Sequence, residues 1–283
     1  MLFWGITVCS LISAAAIGAA SGAFSGLAWL WVLPLGFVGS FIAILLPLFL
    51  FLWLASAVVD MDKPQEKDSK FYRKLIEIYA WIIVHFLRVR LRVRGGEQFP
   101  GSGRFLLACN HNSDLDPVML IAAFPGKQMA FISKRENDRK FIVGKVMHKI
   151  MCQPINREND REALKTILNC IRLLKEDTVS IAVFPEGYTN YDALLHPLRS
   201  GVFKIAQKAQ VPIVVCTLHG TRKVFRNFLH LRPSDVELHL LAVIPPEEQK
   251  GVTAVQIGER VYNLMAEDLG PESIAPAEKA ENT

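Results

Sequence analysis

The first 59 residues contain no Asp, Glu, Lys or Arg, so all 32 Lys+Arg and 27 Asp+Glu of this 283-residue chain fall in positions 60–283. An average over the whole chain therefore describes neither part, and the net charge of +5 belongs entirely to the second. Cysteine is also scarce. The five (Cys9, Cys109, Cys152, Cys170 and Cys216) are odd in number, widely spaced and without a C-x-x-C pair. That argues against a disulfide framework or a cysteine zinc site and fits a reducing compartment. G-x-S-x-G does not occur, which argues against a serine hydrolase of the α/β type. Internal repeats and low-complexity blocks are missing too. A hydrophobic content of 51% excludes disorder and collagen and supplies a sizeable core.

The uncharged stretch divides near Ser21-Gly22-Ala23-Phe24-Ser25-Gly26. Leu2–Ala20 before it is apolar or small, and Leu27–Val59 after it is rich in Leu, Phe, Ile and Trp. Roughly 20 apolar residues span a bilayer as a helix, so two passes fit, with Pro34 and Pro47 placed to bend or shorten the second. A cleaved signal peptide over residues 1–22 is the alternative, favoured by the small residues of Ser13–Ala20 and opposed by the lack of a basic residue before them. Lys63, Lys67, Lys70, Arg73 and Lys74 follow Val59, whereas the loop near Ser21 is uncharged. The positive-inside bias then places everything after residue 59 in the cytoplasm. The chain reads as an integral protein of the cell membrane.

The rest divides into a connector (60–95), a larger domain (96–269) and a Pro-, Glu- and Ala-rich tail (270–283) expected to be disordered. Phe71–Leu87 mixes aromatics with Ile and Leu at helical spacing, as either a helix at the bilayer surface or a core helix would. Arg88–Arg94 alternates Arg with Val or Leu, the period of a strand with one basic face turned to solvent or to anionic headgroups. Further strands are expected over 104–110, 129–133, 151–155, 179–184, 212–218 and 236–243. Helices are expected between them, most clearly over 160–175, 202–210 and 253–269. This alternation predicts an α/β domain with a mixed, largely parallel sheet flanked by helices, preceded by a transmembrane helical hairpin over 1–59.

Three places hold residues suited to chemistry. The first is His111-Asn112-Ser113-Asp114-Leu115-Asp116, which leaves the strand over 104–110 where α/β sheets bind ligands. A histidine there can take up a proton near neutral pH, and Asp116 can return around one turn to fix its tautomer. By spacing alone, a structural His–Asp hydrogen bond is the simpler reading. Cys109, two residues earlier, sits in an apolar run and reads as a buried thiol rather than a nucleophile. The second place is Phe184-Pro185-Glu186-Gly187-Tyr188-Thr189, where Pro185 and Gly187 force a turn that would expose backbone N–H groups and the Glu186 carboxylate. The third is residues 134–161, with eight basic residues against four acidic ones. Lys134 and Arg157 follow apolar strands there and suit a phosphate.

Together, H-x-x-x-x-D in Asn110–Asp116, Ile155-Asn156-Arg157, Phe184-Pro185-Glu186-Gly187 and Val211-Pro212-Ile213-Val214 resemble the four ordered blocks of the glycerolipid acyltransferases. The 1-acylglycerol-3-phosphate acyltransferases are the nearest likeness, and residues 90–220 carry it. The resemblance implies that His111 is the general base and Asp116 its orienting partner. It also implies that Lys134, Arg157 and the Glu186-Gly187 turn, with Thr189, form the acceptor's phosphate pocket. Family members usually continue Phe-Pro-Glu-Gly with Thr-Arg, whereas Tyr188-Thr189 stands here, so a basic residue is missing from that pocket. The implied activity moves a fatty acyl group from an acyl thioester to the free hydroxyl of a lysophospholipid, chiefly 1-acylglycerol-3-phosphate, in phospholipid biosynthesis. The acceptor headgroup could differ. Acyl-CoA or acyl carrier protein serves as co-substrate, and neither metal, cofactor nor nucleic acid is implied. Two readings from other classes compete: a metal-dependent glycosyltransferase using Asp114 and Asp116 as a D-x-D pair, and a non-catalytic lipid-binding protein.

Overall fold

The structure, a computed structural model, describes residues 2–156 and 159–276. Two apolar helices come first, α1 (Leu2–Ala20) and α2 (Trp29–Ala57). Then follow α3 (Lys70–Phe86), β1 (Val89–Arg94), β2 (Leu106–Cys109), α4 (Asp116–Ala123), β3 (Met129–Lys134), α5 (Phe141–Lys149) and β4 (Gln153–Ile155). The chain continues through α6 (Asp160–Lys175), β5 (Ser180–Val183), α7 (Lys204–Ala209), β6 (Ile213–His219), α8 (Val224–Leu229), β7 (Ser234–Ile244) and α9 (Ala254–Leu269). Each expected strand is present, within a few residues of its expected ends.

Both α1 and α2 are long and apolar enough to cross a membrane. They pack on each other through small residues. Ile6, Ser10, Ala14 and Gly18 recur every fourth position along α1 and are its buried residues, and a Cβ on Gly36 would lie 3.2 Å from the Ala14 backbone. Close backbone approach through small residues is how helices associate where no water drives them together. The remaining faces of α2 expose Leu30, Trp31, Leu35, Phe49, Phe51 and Leu54, the reverse of a core helix. Pro34 and Pro47 lie inside α2, which runs unbroken through both.

The strands form one sheet in the order β1-β7-β6-β2-β5-β3-β4, parallel at every pairing except β6–β7. Because side chains alternate along a strand, β2 sends Leu107 and Cys109 to one face and Leu106 and Ala108 to the other. The first face packs under α3, α4 and α8 through residues such as Leu75, Val84, Met119, Leu120 and Val224. The second packs under α6, α7 and α9 through Cys170, Leu173, Ile205, Ile257 and Val261. Such full coverage is what a parallel sheet requires.

Several expectations are refined. The sequence pattern over α6 makes one apolar stripe of Leu164, Ile167, Leu168, Ile171 and Leu174, but the buried face is offset from it: Thr166, Cys170, Leu173 and Leu174 are buried, Ile167 and Ile171 pack beside them, and Leu164 and Leu168 are exposed. Asn159 caps that helix, accepting from Glu162 N at 3.1 Å. Arg90, Arg92 and Arg94 on the basic face of β1 pair with Asp235 and Glu237 of the neighbouring β7 while each stays more than half exposed, so part of the charge on that face is balanced within the sheet. Arg73 is buried rather than presented to lipid. It pairs with Asp68 at 2.7 Å and donates to the carbonyls of Met129 and Ile150, tying α3 to the domain. α3 itself buries Tyr72, Leu75, Ala80 and Val84 and leaves Phe71, Ile78 and Trp81 outside. The tail, expected to be disordered from residue 270, is held through residue 275: Leu195 N donates to Ser273 O at 2.6 Å and Ala275 N to Leu195 O at 3.0 Å. Residues 277–283 lie outside the described residues.

Candidate active site

β2 lies at the middle of the sheet and pairs in parallel with β5, so the loops that follow them leave the same edge side by side. The first carries His111 and Asp116 and the second carries Glu186. Asn110, buried at the end of β2, donates to Leu218 O at 3.1 Å and accepts from Leu218 N at 2.7 Å. It thereby fastens the start of the His111 loop to β6.

The His111 backbone is held at both of its groups. Its N–H donates to Glu186 Oε1 at 2.8 Å, and its carbonyl accepts from Asn190 N at 2.7 Å. The ring lies over Phe184, centroids 4.0 Å apart and 16° from parallel. Nδ1 sits 2.9 Å from Asp116 Oδ2, and Nε2 sits 2.9 Å from Thr189 Oγ1. Asp116 opens α4 and is fully buried. Its Oδ2 also accepts from Asn112 N at 2.7 Å and Ser113 N at 2.8 Å, while its Oδ1 is buried without a hydrogen-bond partner among the described residues. With Nδ1–H donating to Asp116, Nε2 is the ring nitrogen whose lone pair is left to accept a proton. The geometry therefore describes a base whose proton-accepting nitrogen already faces a hydroxyl.

Glu186 departs from expectation. Its carboxylate is buried, 1% exposed, instead of standing out from the turn. Besides His111 N it accepts from His196 N at 2.9 Å and from the Asn190 amide. All of these donors belong to the protein, so Glu186 fastens the turn to the His111 loop. Burial raises its pKa from the ordinary 4.5 to about 7, against the hydrogen bonds from His196 and His111, which lower it. Gly187 has φ +90°, and a Cβ there would come within 2.6 Å of Arg199 Nε. Only glycine fits both the backbone and that contact.

Lys134 ends β3, two strands from β2, with a side chain 61% exposed and 3.5 Å from Glu136. It shares the sheet edge with His111 but pairs with Glu136. Arg157 lies outside the described residues. Asp114 and Asp116 do not act as a pair: Asp116 Oδ2 is taken by three donors, and Asp114 accepts from the Tyr191 hydroxyl at 3.1 Å. This removes the basis for the D-x-D reading. Cys109 is fully buried, and burial raises its thiol pKa well above the ordinary value, as a core thiol requires. Sequence reasoning missed Asn110, Asn190 and Arg199. The only signal for Arg199 was a basic residue opening the segment after the Phe-Pro-Glu-Gly turn.

Comparison with known proteins points the same way. The Acyltransferase family model matches residues 90–219. The 1-acyl-sn-glycerol-3-phosphate acyltransferase alpha of Homo sapiens is 30% identical over 193 residues, 68% of each chain. The 1-acyl-sn-glycerol-3-phosphate acyltransferase of Bacillus subtilis (strain 168) is 30% identical over 189 residues, 63% of this chain and 92% of that one. The crystal structure of the 1-acyl-sn-glycerophosphate acyltransferase of Thermotoga maritima superposes with a TM-score of 0.60, covering 84% of this chain and 94% of that one at 22% identity.

Proposed function

The chain belongs to the glycerolipid acyltransferase family, and from that premise we propose that it acylates the free hydroxyl of 1-acylglycerol-3-phosphate to give phosphatidic acid in phospholipid biosynthesis. The observation that carries the mechanism is His111, with Asp116 on Nδ1 and a hydroxyl on Nε2. The acceptor hydroxyl takes the place of Thr189 Oγ1 at Nε2. Its proton passes to His111 as its oxygen attacks the carbonyl carbon of an acyl thioester. The buried Asp116 carboxylate then steadies the imidazolium. Collapse of the tetrahedral intermediate expels the thiolate, which takes up the proton from His111.

Positioned general-base catalysis contributes about 10²–10⁴-fold, so most of the acceleration comes from holding donor and acceptor together. That need accounts for an anchor: the acceptor lives in the bilayer and the donor, acyl-CoA or acyl carrier protein, in the cytoplasm. Under this reading α1 and α2 span the cell membrane and the sheet faces the cytoplasm. Under the same reading the acceptor phosphate is assigned to Lys134, Arg157 and the Gly187 turn, of which Lys134 would exchange its partner Glu136 for the phosphate. Arg199, exposed and packed against Gly187, supports a phosphate there.

The test uses membranes from cells expressing the full chain, labelled acyl-CoA or acyl carrier protein thioester, and a panel of lyso-lipids. His111→Ala is expected to abolish transfer, and 1-acylglycerol-3-phosphate is expected to be the best acceptor. Near-wild-type transfer by the variant would remove His111 as the base, and preference for a headgroup-bearing lyso-lipid would move the acceptor assignment. Resistance to extraction by alkaline carbonate checks the anchor, and protease access to residues beyond 60 in inverted vesicles checks the orientation.

A further inference from the structure

Three metal-ligating side chains outside the His111 site converge on the opposite side of β6. His219 ends β6, His239 lies on β7 directly opposite Thr217, and Asp268 comes from the last turn of α9. His219 Nε2 is 2.7 Å from Asp268 Oδ2, and His239 Nδ1 is 2.8 Å from Asp268 Oδ1. One ligand atom from each lies within 4.8 Å of the other two. The rings are 4.5 Å apart, a separation at which their Nε2 and Nδ1 atoms reach the same carboxylate.

From this arrangement we propose that His219, His239 and Asp268 form a binding site for a divalent transition ion of the zinc type. Two imidazoles and one carboxylate suit zinc and disfavour magnesium or calcium, which prefer all-oxygen surroundings. A second observation, apart from the cluster itself, supports this. The other ring nitrogen of His239, Nε2, faces Glu237 Oε2 at 3.3 Å, and Glu237 is held in turn by Arg94 at 2.7 Å. A carboxylate on the far nitrogen fixes the tautomer that leaves Nδ1 free to ligate, the usual support behind a metal-bound histidine. The Thr217 hydroxyl donates to Asp268 Oδ2 and orients the carboxylate in the same way.

Zinc–ligand distances of about 2.0–2.2 Å would separate neighbouring ligand atoms by roughly 3.3 Å. The existing contacts thus need to open by only about half an ångström. All three side chains are half-buried, so an ion can enter and a water can complete the coordination. The site would fasten the end of α9 to the antiparallel pair β6–β7. It leaves the chemistry to His111.

The test is calorimetric titration of the untagged full chain in detergent, stripped with a chelator, with zinc chloride and then with magnesium chloride. One zinc per chain is expected, at micromolar or tighter affinity, with a thermal midpoint raised by several degrees and no comparable response to magnesium. The double variant His219→Ala/His239→Ala is expected to bind at least 100-fold more weakly. Wild-type binding no tighter than the double variant, or magnesium matching zinc, overturns the proposal. Should the double variant fail to fold, zinc-edge X-ray absorption of the loaded wild type decides. Two imidazole ligands with oxygen support the site, and sulfur ligation or none from imidazole overturns it.

Discussion

The Thr189 hydroxyl sits 2.9 Å from Nε2 of His111, the nitrogen left basic once Asp116 engages Nδ1. A protein hydroxyl thus occupies the position that the proposed mechanism gives to the acceptor's hydroxyl. A net hydrogen bond is worth about 1 kcal/mol, roughly a factor of five in an equilibrium. Thr189→Val keeps the shape and removes the competitor, so KM for the lyso-lipid is expected to fall by up to about fivefold with kcat within about threefold. Initial rates over a range of acceptor concentrations check this. A raised KM would mean that the hydroxyl swings across to hold the acceptor itself.

Asp116→Asn is expected to lower kcat by about 10²-fold or more, because a neutral amide no longer steadies the imidazolium that forms on His111. The amide oxygen can still accept from Asn112 N and Ser113 N, so the loop should stay in place. Unchanged far-ultraviolet circular dichroism beside lost single-turnover rate separates this from unfolding.

Glu186 carries a pH dependence whose sign is set by burial. Its folded pKa of about 7 lies above the ordinary 4.5, so the folded state holds the proton more tightly. Its contribution to stability is complete below about pH 4.5 and is lost as pH rises through 7, by on the order of 3 kcal/mol at about 1.36 kcal/mol per pH unit. In Glu186→Gln that dependence is expected to vanish. Thermal midpoints of both proteins at pH 5 and pH 7 give the check, and an identical pH response would rule the assignment out.

Arg199→Ala is expected to raise KM for an acceptor with a free phosphate by about tenfold or more and to leave kcat within about threefold. An acceptor without that phosphate should be unaffected. The guanidinium beside Gly187 is the group being removed, and a guanidinium can engage a phosphate bidentately. Equal effects on both acceptors would mean that Arg199 only packs the Gly187 turn.

The strand positions and the His111–Asp116 pair were legible in the sequence because both depend on local order. Alternating apolar residues mark a strand whatever it later pairs with, and five residues leading into a helix bring an aspartate back onto a histidine. The role of Glu186 was not legible. A glutamate between Pro185 and Gly187 looks exposed until β2 and β5 are known to be neighbours, when the His111 N–H arrives to bind it. The pairing of Arg90, Arg92 and Arg94 was hidden in the same way, because their acidic partners lie more than 140 residues further along the chain.

By itself the sequence determined the uncharged, apolar first 59 residues, the order of strands and helices, and the motifs that name the family. All of these are set by composition and short-range periodicity, which need no partner to be read. Tertiary structure alone decided which carboxylates are buried, which guanidinium lies beside Gly187, and that His219, His239 and Asp268 meet. Those outcomes follow from strand order in the sheet and from the docking of α9, contacts between distant segments that no local spacing encodes.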